Sequence, residues 1–134
     1  MSYTNILAAL QAVVQTYATA NGLPVVWDNT EREAAHGEVV LLCSFLPARS
    51  VFATLGADGA DAKPGVYQVA VSTHRGRGPG LALQHADGLV AAFKRQRLTV
   101  AGTTVHSWRA WPAPGFDTGD RYVVPVSVEW TAIE

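Results

Sequence analysis

Cysteine is nearly absent from this sequence of 134 residues, which contains only Cys43. A single cysteine cannot close an internal disulfide, and it cannot supply a cysteine-based zinc site. Cys43 ends an apolar run that begins at Val39, and free cysteine is among the most frequently buried residue types. We therefore expect Cys43 to be a small buried hydrophobic residue rather than a nucleophile.

Charged residues are also scarce. They make up 16% of the chain, against roughly 25% in an average globular protein. Ten Lys and Arg residues oppose eleven Asp and Glu residues, which gives a formal net charge of -1. The hydrophobic fraction of 49% excludes intrinsic disorder, and the low charge suits a subunit of an oligomer. The charge balance argues against a general duplex-DNA binder, which needs a positive surface.

Long apolar runs are missing as well. None approaches the roughly 18 residues of a membrane span, so we expect no membrane partner. The first five residues lack the basic start and cleavage site of a secretory signal. We expect the chain to fold in the cytoplasm of the cell that makes it. A length of 134 residues suits a single domain over residues 1–134 with one core.

Helical periodicity marks two segments. Apolar residues recur every three or four positions over residues 4–20, and Asn21 and Gly22 then supply a common helix stop. The same spacing returns from residue 82 to about residue 95, after a glycine-rich turn. Both patterns predict amphipathic helices that bury one face.

Extended structure is predicted for five further segments. Residues 38–46 lack polar alternation, which favours a strand covered on both faces. Pro125 removes one ladder donor, so we expect an edge or a bulge at that point. The predicted fold is α+β: a mostly antiparallel β-sheet with two α-helices packed on one face. The strands are expected at residues 25–27, 38–46, 65–73, 98–100 with 103–111 as a hairpin, and 121–131.

Residues 47–64 form an unusually long connection. A purely solvated loop would not need the apolar side chains of Val51, Phe52 and Leu55. They favour a projecting arm or β-hairpin that contacts a partner, and the alternative is a loop folded onto its own domain.

The glycine-rich turn invites comparison with a phosphate cradle, because Gly76, Gly78 and Gly80 precede a helix N-terminus. The spacing matches no nucleotide-binding loop, and the proline inside the turn removes one N–H donor. A plain strand-to-helix turn is the simpler interpretation. Arg75 and Arg77 flank these glycines and form a compact basic cluster that suits an acidic partner or nucleic acid.

The remaining polar residues indicate no chemistry. The four histidines show no metal-ligand spacing and no catalytic triad. Four tryptophans fall on or beside predicted strands, where they suit core or interface anchors; a carbohydrate or base-stacking platform is the alternative.

Taken in order, these segments resemble the small tail-terminator proteins of long-tailed bacteriophages, the class of minor tail protein U. The resemblance covers nearly the whole chain. It depends on the order of several segments along the chain rather than on any one motif. Its parts are the helix at 4–20, residues 23–29 (LPVVWDN), the strand 65–71 (GVYQVAV), the turn 75–80 (RGRGPG), the helix at 82–93, and the closing strand 122–130, which ends in VSVEW.

The resemblance implies a virion structural protein at the head–tail junction, with no catalytic residues, metal or cofactor. Such proteins assemble as a ring, usually a hexamer, on the head-proximal end of the tail tube. The ring stops tube polymerisation and provides the surface to which the head docks. The implied partners are other copies of the chain, the tail tube protein and a head-completion or neck protein. DNA passes through the lumen during genome ejection without sequence-specific binding.

Five residues are candidate contacts in such a ring. We expect Val51, Phe52 and Leu55 to contact a neighbouring subunit or the tube, and Arg75 and Arg77 to make polar contacts at a ring face. Two other functions remain open. One is a head-completion or neck protein, and the other is a small cytoplasmic binding module for a peptide or nucleotide that uses the glycine turn as its anion site.

Overall fold

The structure, a computed structural model, describes residues 2–27, 39–48, 51–52, 61–74, 76, 78–119 and 121–133. These residues form two helices, each followed by four strands. In order they are α1 (Ser2–Asn21), β1 (Val25–Val26), β2 (Val39–Pro47), β3 (Val51–Phe52), β4 (Asp61–His74), α2 (Gly80–Phe93), β5 (Arg97–Val100), β6 (Thr103–Pro112), β7 (Phe116–Thr118) and β8 (Arg121–Ile133).

The helix α1 ends as its sequence predicts. Gly22 has a left-handed φ of 66°, a conformation that glycine adopts at little cost. The N–H of Leu23 donates to the carbonyl of Ala18 at 2.9 Å, and the N–H of Gly22 donates to the carbonyl of Thr19 at 3.4 Å. These two bonds are the Schellman pattern, which satisfies carbonyls that the helix end would otherwise leave unpaired.

The strands form one sheet in the order β1-β2-β4-β8-β6-β5, with β3 added to β4 and β7 added to β8. The pair β1–β2 is parallel, and the other described pairs are antiparallel. The predicted α+β class with a mostly antiparallel sheet is therefore confirmed, although the sheet as a whole is mixed.

Both helices pack on the same face of this sheet. Alternate residues of β4 and β8 point toward them, because successive side chains on a strand face opposite sides. Trp130, near the end of β8, is fully buried. Its indole stacks on the ring of Phe45, with 5.5 Å between the ring centroids. The buried cluster includes Ile6, Leu10, Val14, Tyr67, Val69, Val71, Leu89, Phe93, Val124, Val126 and Val128.

The expectation that β2 is covered on both faces is correct only for its first half. Val39, Val40 and Leu41 are buried, whereas Leu42 is 37% exposed and Leu46 is 50% exposed. Among the described residues, the helices cover one face of the sheet only, and these two leucines point to the other face.

Pro125 lies opposite a break in the sheet, as its missing N–H predicts. On the side of β8 away from β4, β6 pairs with β8 residues 126–133 and β7 pairs with β8 residues 121–123. A single bond from the N–H of Ala113 to the carbonyl of Pro125, at 2.7 Å, crosses the gap. β8 is nevertheless a central strand, so the proline ends one ladder rather than marking a sheet edge.

Candidate assembly surface

The arm residues predicted from sequence lie only in part within the described structure. Val51 and Phe52 form β3 and pair antiparallel with Ala62 and Asp61 at the start of β4. This is the pairing that a β-hairpin makes at its base. The side chains of Val51 and Phe52 and the whole of Leu55 fall outside the described residues, so their contacts stay predictions.

The glycine turn connects β4 to α2. Gly76 and Gly78 have left-handed φ angles of 86° and 73°, which explains glycine at both positions because side chains disfavour this region. Pro79 precedes α2 and makes no side-chain capping bond. Arg75 and Arg77 lie outside the described residues.

Beside that turn, Arg121 at the start of β8 is held against the end of β4. Its Nε donates to the Ser72 hydroxyl at 2.9 Å, and a terminal nitrogen donates to the Ser72 carbonyl at 2.9 Å. The guanidinium also lies 3.4 Å from Nδ1 of His74. These contacts fix the Arg121 guanidinium beside the turn.

The two helices meet at a polar contact. The Tyr17 hydroxyl lies 2.8 Å from Nδ1 of His85, and the two rings make an edge-on contact. Burial raises the pKa of Tyr17 and lowers the pKa of His85, because desolvation disfavours the charged form of each group. Within the described parts of the chain, no group of three metal-ligating side chains comes together. The contact therefore joins α1 to α2 and holds neutral partners.

Three of the six large apolar side chains that are exposed in the described residues lie on β6 and β7. Trp108 and Trp111 of β6 are 48% and 42% exposed, and Phe116 of β7 is 50% exposed. Isolated exposed apolar residues are ordinary, but a contiguous group is typical of an interaction surface.

Within the described residues, this stretch is also a free edge of the sheet. β5 covers β6 only as far as His106, and the N–H of Ser107 extends that cover with a bond to the Gln96 carbonyl at 2.9 Å. Beyond Ser107, no described strand lies on the side of β6 and β7 away from β8. Free edges present unpaired N–H and C=O groups that can pair with another chain.

A groove of about 510 Å³ lies between this edge and the end of α2; we call it the β6 groove. Its walls are Val90, Lys94 and Arg95 on the helix side, residues 108–111 of β6, and Glu129 of β8. The register of β6 against β8 shifts between Ser107 and Ala110, which marks a bulge. Bulges re-aim side chains, and this one brings both tryptophans to the same groove.

Sequence reasoning placed the tryptophans of β6 on a strand but did not identify the groove. One signal was available. Trp108 and Trp111 are three positions apart, and a regular strand would send them to opposite faces. Two large exposed rings at an odd spacing therefore indicate an irregularity in the strand.

The family profile of phage tail terminator proteins matches residues 5–130. The chain belongs to the phage tail terminator family. This terminator is accordingly a phage tail structural protein located in the virion tail. The resemblance drawn from its sequence is confirmed.

Solved structures extend the likeness. One solved structure is of a protein that is 26% identical to this terminator, and the TM-score is 0.81. The match covers 98% of this chain and 96% of that chain. A chain from the virion of a native gene transfer agent particle is 13% identical, with a TM-score of 0.65 and coverage of 99% and 98%. At that identity the second match shows the shared fold alone. No curated protein matches the chain.

Proposed function

We propose that this terminator assembles as a ring, most simply a hexamer, on the head-proximal end of the tail tube. The ring stops tube polymerisation and presents the surface to which the filled head docks. The family match over residues 5–130 carries the proposal. The fold it shares with a chain of a gene transfer agent virion supports it, because that chain is part of a virion particle.

The surface of the molecule suits a ring. A ring requires two different patches on each subunit, one for each neighbour. The arm built on β3, with Val51, Phe52 and Leu55, can supply one of these patches. Arg75 and Arg77, in the turn next to the bound Arg121, would make polar contacts at a ring face.

The charge of the chain suits a conduit for DNA. A net charge of -1 gives no broad attraction to phosphates. A ring of such subunits would let DNA pass through its lumen during genome ejection without holding it. A strongly basic lining would instead slow that passage.

Inactivating the gene in the phage or prophage that carries it tests the proposal. We expect tails longer than normal and without heads, because nothing stops the tube. Tails of normal length attached to no head would instead indicate a neck protein that acts on the head side. Normal virions would contradict both functions.

Complementation then tests the arm. A triple variant, Val51→Asp with Phe52→Asp and Leu55→Asp, should fail to restore normal tail length, because three carboxylates would oppose an apolar contact. Leu83→Asp is the matched control, since Leu83 is an exposed leucine on α2, outside the arm. Equal rescue by both variants would remove the arm from the interface.

A further inference from the structure

We propose that the β6 groove binds an extended acidic segment of another virion protein, which adds to the free edge of β6 as a further strand. The proposal deepens the proposed function, since the partner is a component of the same assembly. Peptide binding to the groove is measured on the purified chain. Its result is therefore independent of the tail-length experiment that tests the proposed function.

Part of the β6 backbone can pair with a further strand: the N–H and C=O of Ala110 and the C=O of Pro112 face away from β8, although Pro112 has no N–H to donate. The bond from the N–H of Ala113 to the carbonyl of Pro125 fixes the alternation of the ladder. Hydrogen-bonded and non-bonded pairs alternate along antiparallel strands, so the pair Trp111 and Ser127 is bonded and the pair Ala110 and Val128 is not. The N–H and C=O of Ala110 therefore point away from β8, toward the groove. A peptide strand needs such groups as partners.

The indoles supply fixed apolar walls. Trp108 donates its Nε1 hydrogen to the Thr131 hydroxyl at 2.7 Å, and its ring stacks on His106 at 5.4 Å between centroids. These contacts hold a half-exposed ring in one place before any partner binds. A rigid aromatic side chain loses little conformational entropy on binding, which is why tryptophan is enriched among residues that dominate interface energetics.

The charge of the groove specifies the partner. Three cations, Lys94, Arg95 and Arg109, line it, and among the described residues Glu129 is the one carboxylate on its walls. Arg109 lies 4.0 Å from Glu129 and keeps 83% of its side chain exposed. One carboxylate cannot neutralise three cations, so the groove has an excess of positive charge. Carboxylates on a bound strand would complement it.

Arg95 itself has an unusual backbone. Its φ of 51° lies in the left-handed region, one residue beyond the C-cap Lys94 of α2. Glycine or asparagine is the usual residue there, because a side chain is strained in this conformation. The turn itself is better suited to glycine, so Arg95→Gly can remove the guanidinium without a backbone penalty.

Two other occupants fit less well. Single-stranded nucleic acid would use the cations and the indoles, but it does not present the paired N–H and C=O groups with which a peptide strand meets both backbone groups of Ala110. A second copy paired edge to edge about a two-fold axis would bring Arg109 and Lys94 near their own counterparts. Like charges across paired strands are destabilising. An acidic segment from a different protein uses all three features.

The probe is a fluorescein-labelled, acetylated and amidated peptide of sequence TEVEVET, titrated by anisotropy against the full chain. A TKVKVKT peptide and a dT oligonucleotide serve as comparison ligands. We expect saturable binding of the acidic peptide at or below about 1 mM. The lysine peptide and the oligonucleotide should bind at least about tenfold more weakly.

Three variants identify the site. Arg95→Gly removes the cation and relieves the left-handed strain, so it should raise the melting temperature while weakening peptide binding at least about fivefold. Ala110→Pro removes the outward N–H without changing charge and should weaken binding similarly. Trp111→Ala should weaken it by removing an apolar wall. Circular dichroism melting confirms that each variant is folded.

Several results would overturn the proposal. The first is an absence of saturable peptide binding. The second is an affinity for the peptide in Arg95→Gly or in Ala110→Pro that equals the affinity of the parent chain. The third is tighter binding of the dT oligonucleotide than of the acidic peptide. Self-association that disappears with these variants would assign the edge to a second copy and would equally contradict it. The expected pattern is loss of acidic-peptide affinity in all three variants, with Arg95→Gly more heat-stable than the parent.

Discussion

Gly65 lies in β4 directly against the indole of Trp130. A Cβ added at this position would overlap two ring carbons of that indole and would lie 3.0 Å from the carbonyl oxygen of Leu46. The indole is fully buried and stacked on Phe45, so it has little room to shift. The close approach of a strand backbone to a large ring therefore requires glycine here.

We predict that Gly65→Ala lowers the free energy of unfolding by about 1–3 kcal/mol, the usual cost of overpacking a core. Chemical denaturation measures this change. Gly80→Ala, at the first residue of α2, is the matched control, because a Cβ there meets nothing within 4 Å. If both variants are equally stable, the packing described for Trp130 is wrong.

At this scale, sequence predicted some residues well. Cys43 is buried, as its apolar run indicates. The exposure of Leu42 and Leu46 was not predictable, since it depends on which face of the sheet receives the helices. The closeness of Gly65 to Trp130 depends on the register of β4 against β8, which no local pattern in either strand reveals.

Ser107 joins two elements, the end of α2 and the strand β6. Its hydroxyl donates to the Phe93 carbonyl and accepts from the N–H of Gln96 at 3.2 Å. The side chain is buried. One hydroxyl thus satisfies two backbone groups at a helix end, where the last carbonyls lack helical partners.

We predict that Ser107→Ala destabilises the fold by about 1–3 kcal/mol, because both backbone groups lose their partner in a buried place. Thermal or urea denaturation measures the effect. Thr99→Ala in the adjacent strand β5 is the control, since its hydroxyl makes only an exposed contact with Thr104 at 3.5 Å. Similar stability of Ser107→Ala and Thr99→Ala would contradict the joining role.

The contact between α1 and α2 predicts a dependence on pH. Burial lowers the pKa of His85 in the folded chain, so the unfolded chain takes up this proton at a higher pH, near 6.5. As pH falls below that value, the unfolded state binds more protons and the free energy of unfolding decreases. His85→Gln should reduce this slope between about pH 7 and 5 in denaturation curves. An unchanged slope would contradict the assignment.

The long elements were predictable because their hydrophobic period is clear. Both helices, β2, β4, β8 and the β5–β6 hairpin occur where expected, and the hairpin turn has the left-handed angles at Ala101 and Gly102 that a tight turn requires. The two-residue β3 lies within the segment predicted as an arm or β-hairpin, and its bounds were not predicted; the three-residue β7 was missed. Short strands exist because a neighbouring strand offers partners, so their own sequence carries little signal.

Assembly belongs to the scale of the whole molecule. The helices cover one face of the sheet. In the described residues, Trp108 and Trp111 of β6 and Phe116 of β7 are exposed along the part of the sheet edge that β5 does not cover. Order and spacing of segments predicted the family, and the family profile confirmed it. The β6 groove was not predictable, because it forms only when the end of α2, a bulge and a sheet edge meet.

The most direct test of the account follows tube growth in vitro. Purified tail tube protein is polymerised with increasing amounts of this chain, and tube lengths and ends are measured by electron microscopy. We predict that added chain stops elongation and that capped ends carry a ring of its subunits, with six copies expected per end. Tubes that keep growing, with bare ends at every concentration of the chain, would contradict the proposal that it caps the tail.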